Sequence, residues 1–215
     1  MKTINKLVSA LIILVILSSC SSVKVTDTWK DTGNSADIKA EKMLVVSVSE
    51  NTTSRQRFEK DLVNQLNSKG FNAQESFTIF PEISPVKKVA GAALEKVKQK
   101  LRDGGVELVM VNVVRDTKHY TKTVSDGPSY YVSPNYGYRY HRGFYGYYGA
   151  MNTGPTYSTT TEGTTYVLET IIYDLSQPTE KQLLKVITSE VDNPSTVGSA
   201  SKDFSKTIVQ ELLKE

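Results

Sequence analysis

Beyond position 20 the sequence contains no cysteine, so no disulfide braces the chain and whatever folds there must hold through its apolar core. Histidine is scarce as well. His119 stands beside Tyr120 on a strand-like run and His141 between Tyr140 and Arg142; neither falls in a G-x-S-x-G or H-E-x-x-H pattern, and a hydrolase needs a nucleophile with a base in reach. With one cysteine in the whole chain, a structural zinc site lacks its ligand set. No glycine-rich phosphate loop follows the first apolar strand, where Ser49-Glu50-Asn51-Thr52 stands instead. Carboxylates are present, but Glu169 and Asp174 have opposite parity along one strand and so face opposite sides. With Glu190 and Asp192 they read as surface ladder charges rather than as an acid and a base. Nor does one charge dominate: Lys and Arg number 26 against 23 Asp and Glu. Setting aside Lys2 and Lys6 leaves a near balance, without a nucleic-acid footprint or a polybasic lipid patch. The expectation is a protein with no catalytic residues, no cofactor, no metal and no nucleic-acid partner.

The apolar run Leu7 to Leu17 is shorter than the ~20 residues a membrane-spanning helix takes. Preceded by Lys2 and Lys6 and followed by Ser18-Ser19, it has the three parts of an export signal, expected over residues 1–19. The tetrad Leu17-Ser18-Ser19-Cys20 resembles the lipobox of bacterial lipoproteins, an aliphatic residue and two small ones before cysteine. The resemblance implies that the Cys20 thiol takes a diacylglyceryl group, that cleavage leaves Cys20 at the amino terminus, and that its freed amine accepts a further acyl chain. At ~0.8 kcal/mol per buried methylene, two or three chains anchor far more firmly than one. The membrane is thus the expected partner. Ser21-Ser22 supplies no acidic retention or surface-export cue, which places the protein on the periplasmic face of an outer membrane. Residues 20–40, polar and carrying the sole tryptophan, read as a tether that becomes ordered near Trp29, whose apolar face favours docking on the domain.

From residue 41 to 215 the pattern is that of an α/β domain. Met43 to Val48 reads as a buried strand. Thr53-Ser54 then caps a helix carrying Phe58, Leu62 and Leu66 at helical spacing, which Gly70 ends. Phe71 to Phe77 predicts a more polar strand near an edge. Ser84-Pro85 opens a helix with Val86, Val89, Ala90, Ala93, Val97 and Leu101 on one face, stopped by Gly104-Gly105. Glu107 to Val114 is the most strand-like run. This βαβαβ order predicts a parallel unit with its first strand in the middle. His119 to Val124 fits a further short strand. Tyr166 to Leu175 and Gln182 to Val191 predict a hairpin, and Ala200, Phe204, Ile208 and Leu212 a last amphipathic helix. The fold class is α/β: a three-layer sandwich whose parallel unit is extended by an antiparallel hairpin and a C-terminal helix.

Residues 128–163 break the pattern. They hold nine of the twelve tyrosines, and no Val, Ile or Leu occurs between Ser133 and Tyr166. Little aliphatic surface is available there to offset the ~1 to 2 kcal/mol of backbone entropy lost per ordered residue. Tyr136, Tyr138, Tyr140, Tyr145, Tyr147 and Tyr148 offer flat faces with hydroxyls, suited to stacking on sugars or to a protein partner, and Arg142 adds attraction for acidic groups. The reading as a flexible hairpin extension is favoured over a binding surface, since the tyrosines keep no fixed period that would align them on one face.

The lipobox, the runs MLVVSVSENTTSRQRFEKDLVNQLNSKGFNA and ELVMVNVV, the Tyr/Gly-rich insertion, and TYVLETIIYDL and TSEVDNPS together resemble a family of small, largely uncharacterised bacterial lipoproteins. Their βαβαβ core is similar to that of the TolB amino-terminal domain and the curli-secretion lipoprotein CsgG. The resemblance implies architecture and a cell-envelope location. Role is left to two readings: a non-catalytic structural or interaction module that contacts envelope proteins, or a glycan or peptidoglycan binder using the tyrosines. A hydroxyl is a far poorer nucleophile than a thiol at neutral pH. Cys20→Ser should therefore leave a precursor that keeps its signal and takes up no labelled fatty acid; label surviving the change would refute the lipoprotein assignment.

Overall fold

Along the run after Lys42, alternate side chains enter different cores: Met43 and Val45 join one cluster, Leu44 and Val46 another. A strand apolar on both faces must be covered on both, and the layered architecture follows. A computed structural model of the chain describes residues 22–33, 36–81, 90–120 and 163–214. Its elements in chain order are β1 (Val23–Lys30), β2 (Lys42–Val48), α1 (Thr52–Ser68), β3 (Asn72–Glu75), a short α2 (Ser76–Ile79), α3 (Ala92–Asp103), β4 (Leu108–Tyr120), β5 (Gly163–Asp174), β6 (Leu183–Asp192) and α4 (Val197–Leu212). The strands form one six-stranded sheet in the order β1-β6-β5-β4-β2-β3.

As expected, β2 lies between two parallel neighbours, β3 at the edge and β4 inside. β4 then pairs antiparallel with β5, β5 with β6, and β6 with β1. On one face Leu62 and Leu66 of α1 and Phe204 and Ile208 of α4 pack with Met43, Met110, Ile172 and Ile187. The Phe58 and Phe204 rings meet at 5.7 Å between centroids, joining the two helices. On the other face Val97 and Leu101 of α3 pack with Leu44, Val109, Val111, Ile171 and Tyr173. The three layers are thus helices, sheet and helix.

The largest departure from the sequence reading is at residues 23–30, placed in a tether but forming β1. Val23 is buried in the core and Val25 packs against it, while the rest of the strand is largely exposed, as an outer strand permits. Trp29 does not dock; it is 47% exposed. Other differences are local. Asn51, not Thr53-Ser54, caps α1, its side chain accepting from the Ser54 N–H at 2.9 Å. Gly70, at φ +85°, ends that helix in left-handed backbone as expected. α3 begins at Ala92 because Gly91, at φ +58°, breaks the path before it; Ala90 is exposed ahead of it, and the expected start at Ser84-Pro85 lies outside the described residues. His119 belongs to the long β4, not to a separate strand. Gly163, the expected end of the insertion, opens β5 opposite Tyr120; a Cβ there would run into the Tyr120 ring, which would have to shift.

Val109 and Val111 of β4 have no exposed surface. Val111→Asp would put a carboxylate there without a built partner, at a cost of several kcal/mol against a total stability of about 5 to 15. The mutant should fail to fold; a cooperative thermal transition near that of the parent would show that β4 is not the centre of the core.

Candidate functional site

In an open α/β sheet, ligands bind outside the carboxyl ends of the parallel strands, and here that end holds a buried polar cluster. Glu59, on α1, is fully buried and Arg55, one turn earlier, nearly so. Oε1 of Glu59 accepts from Arg55 Nε at 3.0 Å, Ser76 Oγ at 2.8 Å and the Ser47 N–H at 3.1 Å. Oε2 accepts from the Phe77 N–H at 2.7 Å. Arg55 also donates to Ser76 Oγ at 2.8 Å, and its guanidinium lies 5.4 Å from the Phe77 ring centroid. One carboxylate thus ties α1 to the end of β2 and to the turn from β3 into α2. Three donors converge on Oε1 and one on Oε2. The cluster holds together the backbone of three elements. Neither Glu59 nor Arg55 was singled out from the sequence, although both fall on the stripe that continues through Leu62 and Leu66.

The acidic residues taken for surface charges divide. Glu169 and Asp174 are buried, because both faces of β5 are covered by helices. Glu169 pairs with Arg115 at 2.8 Å, and Asp174 accepts from the N–H and hydroxyl of Ser176 at 2.9 and 2.6 Å, closing the turn after β5. Glu190 pairs with Lys118 at 2.7 Å. Asp192 is exposed and accepts from Tyr120 and Thr165 hydroxyls at 3.0 and 2.8 Å; the Tyr120 bond and the nearby charge hold that phenol above its usual pKa. Burial, then the nearby Asp174 and Glu107, push the Glu41 carboxyl up as well. His119 is exposed, with Nδ1 3.3 Å from the Thr164 hydroxyl. Among the described residues no group of three or more His, Cys, Asp or Glu is arranged to hold a metal, and no helix is long and apolar enough to cross a membrane. A cavity of about 210 Å³ lies at the opposite end of the sheet, lined by Leu101, Arg102, Val106, Glu107, Leu175 and Ser176, smaller than the ~300 Å³ at which ligand pockets begin.

Cys20, His141 and the candidate binding residues Tyr136, Tyr138, Tyr140, Arg142, Tyr145, Tyr147 and Tyr148 lie outside the described residues. What borders them is described. Ser22, two positions after Cys20, is already fixed: its carbonyl accepts from the Asp192 N–H at 3.0 Å and its hydroxyl donates to Asp203 at 3.1 Å. Tyr120 and Gly163, which bound the insertion, pair with each other near Asp192, at the same end of the sheet.

The sequence matches no protein-family model and no curated protein. It is similar in structure to a PelC dodecamer from Paraburkholderia phytofirmans, with 12% identity over 88% of this chain and 95% of that one and a TM-score of 0.41. It is similar to a DUF4136 family protein from Bacteroides thetaiotaomicron, with 13% identity over 89% and 97% and a TM-score of 0.39. A lipoprotein from Neisseria meningitidis is similar at 13% identity over 81% and 99%, with a TM-score of 0.38.

Removing one partner of a buried ion pair leaves an uncompensated charge and costs about 3 to 5 kcal/mol. Glu59→Leu should lower the thermal midpoint by many degrees, whereas Arg55→Met combined with Glu59→Leu should recover only the part due to the unpaired guanidinium, since the Ser47 and Phe77 N–H groups still lose their acceptor. Equal midpoints for Glu59→Leu and the parent would mean that the cluster does not hold the helix to the sheet.

Proposed function

We propose that this chain is a lipid-anchored cell-envelope protein on the periplasmic face of an outer membrane, acting as a non-catalytic structural or protein-interaction module. What carries the proposal is the tetrad Leu17-Ser18-Ser19-Cys20 two residues ahead of Ser22, where the chain already joins the sheet. Support for a non-catalytic role comes from the Glu59 carboxylate at the ligand-binding end of the parallel strands, which is fully buried and held by Arg55, Ser76 and the backbone of Ser47 and Phe77. The resemblance of the sequence to small bacterial lipoproteins adds a cell-envelope location and no chemistry.

A second reading, binding of glycan or peptidoglycan, is favoured by the concentration of Tyr136, Tyr138, Tyr140, Tyr145, Tyr147 and Tyr148 around Arg142. The two readings separate in one pair of assays. Crosslinking in intact cells should recover envelope proteins, and purified cell-wall glycan should not retain the intact protein. Retention that disappears when residues 130 to 157 are deleted would overturn the first reading in favour of the second.

A further inference from the structure

We infer that the end of the sheet where β1 begins lies against the phospholipid surface, so that the strands stand up from the membrane. This rests on the acylation of Cys20 proposed above and adds an orientation to it. The surface in question is made by Ser22, Tyr120, Gly163, Asp192 and the 193–196 turn into α4.

The length of chain between lipid and fold decides the matter. An acylated Cys20 holds its sulfur at the lipid headgroups, and two peptide units reach at most about 7 Å. At Ser22 the slack ends. Its carbonyl and hydroxyl are bonded to β6 and α4 through the Asp192 N–H and the Asp203 carboxylate, and Val23 next to it is buried opposite Val191. A long tether would let the domain turn freely above the bilayer; this one holds a single end of the sheet near it. At ~3.3 Å per residue, β1 carries the chain about 26 Å to its other end. Trp29 and the turn between β5 and β6 therefore stand on the side away from the lipid, where another protein can reach them.

Charge at the lipid end is near balance. Glu190 is paired with Lys118, and the carboxylates of Asp192 and Asp203 are matched in number by Lys24 and Lys202, exposed and close to them in sequence or across the sheet. Tyr120 and Gly163, paired with each other, are both at this end.

The test uses the acylated full-length protein, purified from membranes and reconstituted into phosphatidylcholine and phosphatidylglycerol vesicles containing a lipid with a headgroup-attached nitroxide quencher. Acylation consumes the one native thiol, so a cysteine introduced by Ser195→Cys or Lys24→Cys, near the lipid end, or by Glu180→Cys, at the far end, takes a fluorophore at one place. All three positions are exposed. Quenching should be severalfold stronger at 195 and 24 than at 180. Protein that floats with the vesicles but is quenched equally at both ends, or more at 180, would overturn the orientation and leave the anchor standing. Failure to float would overturn the anchor itself, and the orientation with it.

Discussion

β4 carries two kinds of pairing at once: parallel to β2 over Leu108–Val113, and antiparallel to β5 from Leu108 to Tyr120. Without it the parallel unit and the antiparallel meander would be separate sheets, each with an exposed inner edge. The double role imposes a strict condition. Leu108, Val109, Met110 and Val111 have no exposed surface, since their side chains alternate into the two cores. Past Val113 the partner β2 has ended, and β4 changes character. Its register shifts between Val114 and Asp116, its side chains become polar, and it continues beside β5 alone to Tyr120. The last described pair on these two strands is Tyr120 opposite Gly163.

The sequence was most legible where burial is two-sided. Leu44–Val48 and Leu108–Val113 are apolar nearly throughout, and no exposed helix or loop produces such runs, so the parallel unit and its central strand could be placed from pattern alone. Outer elements were less legible for the same reason. β1 buries only Val23 and half-buries Val25, leaving Thr26, Asp27, Thr28 and Trp29 in solvent. That gives no alternation long enough to stand out from a polar tether; the β-branched content of VKVTDTW was the one available signal. The break at Gly91, at φ +58°, just ahead of α3 was not legible, because the apolar positions before and after it keep one helical spacing.

The polar groups inside the fold were the least legible. Parity along β5 correctly put Glu169 and Asp174 on opposite faces, but parity does not say whether a face is wet, and here helices cover both. Arg55 and Glu59 have the spacing of an ordinary surface pair on a helix, worth a few tenths of a kcal/mol. What distinguishes them is the stripe they share with Leu62 and Leu66, which turns them inward to meet Ser76 and the ends of β2 and β3. A buried pair of this kind fixes where a helix sits more than it adds to stability.

These features give a domain whose interior is closed and whose two ends differ. One end holds Ser22, two residues after Cys20, and the paired Tyr120 and Gly163; the other presents Trp29 and the turn between β5 and β6. Everything said about its place in the cell depends on the chemistry at Cys20. Mass spectrometry of the amino-terminal peptide of the mature protein, taken from membranes, reads that chemistry directly. The account predicts a chain that starts at Cys20 with a diacylglyceryl group on its sulfur. A mature chain that starts elsewhere, or a free Cys20 thiol, would contradict it.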